Sequence, residues 1–184
     1  MLTTDIIDKV LTYDFKTVLD IGAGYDHAEI FRSHGKIVTT NNLYDADYVG
    51  DYLNLDLEPF DCIWASYVLE HQVNPGLFLQ KCFRDLKEGG LLAVAVPPLK
   101  SEIVGGHVTL WNAGILLYQL VLAGFDCSQA LVKTSGYNIC AIVRKKSFTM
   151  PKLKNDFGDI KTLNRYFPFD AEHGFNGDIG EINW

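Results

Sequence analysis

Two histidines and one glycine turn are the places where this sequence could do chemistry. The turn lies in VLDIGAGYDHAEIF, where an apolar run stops at Asp20, passes Gly22, Ala23 and Gly24, and resumes with helical spacing. Glycines there let backbone N–H groups face a ligand with no β-carbon in the way. The third glycine of a dinucleotide-binding turn, due near Ala28, is absent. Asp20 would oppose a pyrophosphate but can accept hydrogen bonds from an ammonium group, which favours a cationic, amino-acid-bearing ligand. About twenty residues on, where an acid usually binds ribose hydroxyls, TTNN offers Asn41 and Asn42, which hydrogen-bond without charge. Asp51, in VGDYL, stands at a strand end where it can accept from an adenine amino group, a solvated turn being the plain alternative. His107 sits on the glycine-flanked loop VGGHVTLW and His71 closes VLEH. Histidine is the side chain that most often takes a proton from a reacting hydroxyl. Each also has a structural reading, His107 bonding loop backbone or capping the next helix, His71 orienting its own loop. Lys100 and Glu102 are candidates to touch a second substrate. Tyr67 and Trp111 are candidates to wall its pocket, although packing is the simpler role for aromatics.

These groups need a scaffold. LTTDIIDKVL has apolar residues at helical spacing, TVLDIG reads as a buried strand and YDHAEIFRSH as the helix behind the glycine turn. KIVTTN is a second strand, DYVGD a short third and FDCIWASYV a fourth. PGLFLQKCFRDLKEGG reads as a helix closed by Gly89 and Gly90, and LLAVAVP as a fifth strand stopped by Pro97 and Pro98. The helix NAGILLYQLVLAGF precedes two strands, CSQALVKT and YNICAIVRK, joined by the turn SGYN. Early strands that are apolar throughout and separated by helices imply an α/β fold with a parallel sheet covered on both faces. The final pair, with only a turn between them, must be antiparallel to each other. The glycine turn and both histidine loops then leave the carboxyl ends of strands, the side where open parallel sheets hold ligands.

Composition sets the outer limits. A chain of 184 residues, 48% of them apolar, fits one domain with an ample core. The net charge is −7 and the basic clusters are as small as RKK at Arg144 to Lys146, which argues against a nucleic-acid partner. Cys62, Cys82, Cys127 and Cys140 lie in apolar segments without the pairing of a zinc or redox motif, so reduced, buried thiols in a cytoplasmic protein and no metal ligands are expected. The longest apolar run, GILLYQLVLAGF, is too short to span a bilayer, and the start lacks a signal-peptide layout. From Ser147 the pattern changes: residues 147–184 carry seven aromatics, too many for a solvated end. The division expected is a domain over 1–146 and an extension over 147–184 that straps the domain's own surface, forms a lid or makes a homodimer contact.

Four stretches, VLDIGAG, VGDYL, FDCIWASYVLEHQVNP and LKEGGLLAVAVP, together resemble the class I S-adenosylmethionine-dependent methyltransferases, and the likeness covers most of residues 1–146. The resemblance implies a Rossmann-like, seven-stranded, mostly parallel sheet in the order 3-2-1-4-5-7-6, the last strand inserted antiparallel, with helices on both faces. It implies S-adenosylmethionine as cofactor and S-adenosylhomocysteine as product. The methionine part would lie on Asp20, Gly22, Ala23 and Gly24, ribose at Asn41 or Asn42, adenine near Asp51 and Tyr52, and the stretch from Ser66 and Tyr67 to His71 beside the methyl donor. Two departures stand out: Asp26 where many members have a further glycine, and asparagine for the ribose-binding acid. VLEH is similar to the type 11 branch. The loop PPLKSEIVGGHVTLWNAG is similar to that of small methyltransferases of carbohydrate biosynthesis. This implies a small-molecule acceptor, a sugar, sugar-derived compound or nucleotide-sugar, methylated on oxygen with His107 or His71 as base. A non-catalytic S-adenosylmethionine-binding pseudoenzyme subunit is the alternative. A nicotinamide oxidoreductase is opposed by the missing glycine and the strand-turn-strand ending.

Overall fold

Alternate residues of the central strands point into two separate cores. In the computed structural model, which describes residues 4–24 and 26–184, the chain runs α1 (Thr4–Leu11), β1 (Thr17–Ile21), α2 (His27–Ser33), β2 (Ile37–Asn42), β3 (Tyr48–Val49), β4 (Phe60–Ser66), α3 (Pro75–Arg84), β5 (Leu86–Val96), α4 (Ala113–Leu122), β6 (Leu131–Ser135), β7 (Asn138–Arg144), α5 (Asp159–Leu163) and β8 (Glu181–Ile182). The expected helical residues Leu2, Thr3 and Tyr25 lie outside the described residues. Val18, Cys62, Trp64, Ala93 and Ala95 face a layer closed by Ile6, Ile7 and Val10 of α1 and Phe31 of α2. Leu19, Ile21, Ile63, Ala65, Leu92 and Val94 face the opposite layer, closed by Phe78 and Leu79 of α3 and Leu116, Leu117 and Leu120 of α4. This two-sided burial explains why the strands read as continuous apolar runs.

The sheet order is β3-β2-β1-β4-β5-β7-β6-β8. Strands β1 to β5 pair in parallel, and β7 runs antiparallel between β5 and β6. The seven expected strands keep their order, but the sheet has eight. The extension returns to the open edge of β6, where Val132 pairs with Ile182 and Lys133 with Glu181. Thr134 strengthens the join, its N–H donating to the Gly180 carbonyl at 2.7 Å and its hydroxyl to that of Ile179 at 2.6 Å. An edge with unpaired backbone groups invites such a strand, and two residues are too few to show periodicity.

A second correction concerns α3, which stops at Arg84 rather than at the glycines. The buried Asp85 carboxylate accepts from the Tyr52 hydroxyl at 2.8 Å and from the Lys81 ammonium at 2.7 Å. Lys81 also donates to the Leu55 carbonyl. Anchored there, the chain turns straight into β5, with Leu86 beside Phe60 and an irregularity before Leu91 pairs with Cys62. Strand β6 likewise starts late, at Leu131, because Asp126 turns the chain by accepting from the Ser128 N–H.

Beyond β7 the chain packs on the α3 and α4 side of the sheet. Leu163, Phe167 and Ala171 are buried in that core; Phe169 stacks on Phe167, and Phe175 packs tilted against Phe167 and edge-on against Phe169. The approach needs a glycine at 114: a β-carbon there would lie 2.5 Å from the Gly177 α-carbon, and the Gly114 N–H donates to the Gly177 carbonyl. All four cysteines are free and buried. Among the described residues no helix is long and apolar enough to cross a membrane.

Candidate active site

A pocket of about 540 Å³ opens at the carboxyl ends of the parallel strands, where the chain order runs outward in opposite directions from β1 and β4. That is the ligand position of open α/β sheets. Gly22, Asn42, Asp51, Tyr67, His71 and Phe78 are among the residues lining it. Gly22 follows β1 with φ +75°, and a β-carbon there would sit 2.4 Å from Val68 Cγ2, so glycine is required both for backbone conformation and for room. The expectation that its N–H faces a ligand is corrected. The Gly22 and Ala23 N–H groups both donate to the Asn41 carbonyl, at 2.8 and 3.1 Å, which draws the turn onto the end of β2.

The two asparagines divide their work. The Asn41 side-chain amide, buried, donates to the Tyr48 and Gly50 carbonyls and fastens β2 to β3. Asn42 reaches back to the Ala23 carbonyl and so holds the glycine turn. Both line the pocket, as do Asp51 and Tyr52. Asp51 caps the short turn Tyr52–Asn54 by accepting from the Leu53 N–H, and Tyr52, pinned by Asp85, packs edge-on against Phe78 at 5.2 Å. Asp20 lies beneath the turn and does not line the pocket. It is 2% exposed, one carboxylate oxygen has no hydrogen-bond partner, and burial raises its pKa to about 7 against a weaker pull from Arg32. Ala23 and Gly24 stand on the turn outside the lining. Ser66 is buried at the end of β4 with an unpartnered hydroxyl.

After Ser66 the chain makes a turn that few side chains tolerate. Tyr67 has φ +57°, a conformation uncommon for an aromatic residue and found where the surroundings enforce it. Its N–H donates to the Ala95 carbonyl, and its hydroxyl donates to Asn138 Oδ1 at the start of β7. The ring is thereby held upright as a pocket wall.

Next come Glu70 and His71, and the loop after β5 folds onto them. The Val108 and Thr109 N–H groups donate to the Glu70 carbonyl at 2.8 and 3.2 Å. The Thr109 hydroxyl donates to the Leu69 carbonyl and accepts from the Trp111 indole. These bonds bring His107 against His71, edge to face with ring centroids 5.0 Å apart. Desolvation, then neighbouring His71 and Lys100, hold His107 below the ordinary histidine range. His107 lines a small cleft beside the main pocket with Lys100, Glu102 and Trp111, the last of which is buried.

Two residues of this region, Glu70 and Asn138, have no sequence signal of their own. Glu70 lies within VLEH, beside His71. Its side chain is fully buried, and neither carboxylate oxygen has a hydrogen-bond partner.

A parallel sheet with one antiparallel strand slotted between β5 and β6, carrying a pocket over its first glycine turn, defines a Rossmann-like methyltransferase fold. Residues 3–113 match the family described as "Methyltransferase domain", and the chain belongs to it. It is 25% identical over 168 residues, 89% of its length, to the ubiquinone biosynthesis O-methyltransferase of Glaesserella parasuis serovar 5, and spans 64% of that relative. Among solved structures it is similar to the 1,6-didemethyltoxoflavin-N1-methyltransferase of Burkholderia thailandensis, with bound 1,6-didemethyltoxoflavin and S-adenosylhomocysteine. There the TM-score is 0.65 and the identity 19%, over 78% of this chain and 76% of the other. It is similar also to a SAM-dependent methyltransferase from Archaeoglobus fulgidus, with TM-score 0.61 and 16% identity over 78% and 93% of the two chains.

Proposed function

We propose that the protein transfers a methyl group from S-adenosylmethionine to a hydroxyl of a small-molecule acceptor, a sugar or sugar-derived compound. The observation carrying this reading is the pocket over the glycine turn, with His71 in its lining and His107 packed against that ring from the neighbouring cleft. Its volume lies in the range of small-molecule and cofactor sites, Gly22 leaves room where any β-carbon would clash, and a buried carboxylate with a vacant acceptor oxygen lies beneath. These features fit a nucleoside that carries an amino acid. Gly22, Asn41, Asn42, Asp51 and Tyr52 would hold it, with Asp20 below the turn favouring its positive charge. When bound, the sulfonium supplies an electrophilic methyl group.

The chain's own contribution is alignment and exclusion of water. Tyr67 and Val68 form a fixed wall, and the loop from Pro97 to Trp111 presents the acceptor to it. The acceptor's hydroxyl proton passes to His107, whose depressed basicity keeps the ring neutral and ready near pH 7. Lys100 and Glu102, beside His107, supply hydrogen bonds suited to a polyhydroxylated acceptor. The sequence relative named above for O-methylation, the ubiquinone enzyme, supports the choice of oxygen. The test is incubation with methyl-labelled S-adenosylmethionine and a panel of sugars, nucleotide-sugars and phenols. Labelled ether is expected from a hydroxylated member, with turnover roughly 10²–10⁴-fold lower in His107→Ala. Label appearing only on amines would overturn the assignment to oxygen.

A further inference from the structure

Glu70 is the residue whose setting the reaction above leaves unexplained. A carboxylate with no exposure and no hydrogen-bond partner on either oxygen is costly unless a proton or a cation compensates it. The nearest polar atom of His71, Nε2, stands 3.8 Å from Glu70 Oε1, too far for a hydrogen bond. The other ring nitrogen explains the orientation. His71 Nδ1 is 2.7 Å from the Gly106 carbonyl, which can only accept, so Nδ1 carries a proton and Nε2 is the nitrogen set toward the carboxylate. This is the arrangement of metal-ligating histidines, whose second nitrogen is fixed by a backbone carbonyl. His107 completes the group: one ligand atom from each of Glu70, His71 and His107 lies within 4.8 Å of the others.

We infer that Glu70, His71 and His107 form a binding site for a divalent transition-metal cation of the zinc type, with an open position toward the pocket. Two imidazoles and one carboxylate suit zinc, and three protein ligands leave a place for a water or substrate oxygen. Ligand atoms about 3.3 Å apart, as a tetrahedral zinc site requires, need the 3.8 Å between Glu70 and His71 to close slightly and the half-exposed His107 ring to rotate on its glycine-flanked loop. His71 lines the main pocket, so the open position borders the place proposed for the acceptor. A bound cation replaces His107 as the means of ionising the acceptor. The coordinated hydroxyl loses its proton to solvent, its oxygen forms the bond to the methyl carbon, and the methyl–sulfur bond breaks with its electron pair left on sulfur. Metal binding needs only these three side chains, so its failure would leave the methyltransferase reading standing.

The experiment uses the full chain, freed of metal by chelator and dialysis, titrated calorimetrically with Zn²⁺ alone and separately with Co²⁺ while visible absorption is followed. One equivalent bound at micromolar concentration or tighter is expected, with Co²⁺ showing the intense absorption of a four-coordinate site. Binding should weaken at least tenfold in His107→Ala and in Glu70→Gln. If Glu70→Gln does not fold, His107→Ala and His71→Ala, on more exposed side chains, decide the matter. No binding at micromolar Zn²⁺, or affinity unchanged in both histidine variants, overturns the proposal and leaves Glu70 a protonated core residue.

Discussion

Val68 Cγ2 lies 2.4 Å from the point where a β-carbon on Gly22 would sit. The first strand's turn and the fourth strand's exit are therefore fitted to each other. Replacing Gly22 by alanine should cost about 1–3 kcal/mol through overpacking, with a further cost for the positive φ. It should also weaken S-adenosylhomocysteine binding at least tenfold by displacing the pocket wall. Gly24→Ala is the contrast: its nearest neighbours would lie 3.7 Å away, in ordinary contact, so the melting temperature should hold. Equal stability of the two variants in thermal denaturation would contradict this account of the turn.

Asp85→Ala should be among the most destabilising single changes. It strips the partner from a Lys81 that is 4% exposed and frees the hydroxyl of Tyr52 beneath the pocket. Breaking one side of a buried ion pair costs about 3–5 kcal/mol. Chemical denaturation checks the value, and a loss below about 1 kcal/mol would show the network to be dispensable.

Asp20 predicts a pH signature. Burial raises its pKa to about 7, while in the unfolded chain it ionises near the ordinary aspartate value of about 3.8. Between those limits the folded state holds a proton that the unfolded state has lost, so this group's contribution is full below about pH 4 and is lost as pH rises through about 7. Asp20→Asn should remove that loss. Relative to wild type, the variant should gain stability from about pH 4 to 7, on the order of a few kcal/mol, and keep the gain above. Urea denaturation across the range measures it, and a gap that narrows with rising pH would contradict the assignment.

The extension shares the domain's core, so Leu163→Ala should destabilise the whole chain by about 2–5 kcal/mol, in one cooperative transition that reports on the sheet. Far-ultraviolet and tryptophan signals should shift together. If Leu163→Ala leaves the melting temperature unchanged, the segment is a detachable strap rather than core.

The parts of this molecule that were legible in sequence are those set by burial. Apolar runs such as CIWA and LLAVAV belong to strands covered on both faces, and the glycine turn after Asp20 announced the pocket. What escaped was decided by single long-range bonds. Asp85 ends α3 through Tyr52, far away in the chain, while Gly89 and Gly90 looked like the natural stop. β8 exists because β6 offered an unpaired edge, which no property of GEIN reveals. Glu70 illustrates the limit at the site itself. Its neighbours in VLEH suggested a loop histidine, but only the fold of the loop from Pro97 to Trp111, clamped on the Glu70 carbonyl, brings His107 beside it.

The central claim is that the pocket over Gly22 binds S-adenosylmethionine. Its most direct test is calorimetric titration of the purified chain with S-adenosylmethionine, S-adenosylhomocysteine and NADH in parallel, repeated on Gly22→Ala. The account predicts one-to-one binding of the first two in the micromolar range, at least tenfold weaker binding of both in the variant and no heat from NADH. Binding of NADH alone, or S-adenosylmethionine affinity unchanged in Gly22→Ala, would contradict it.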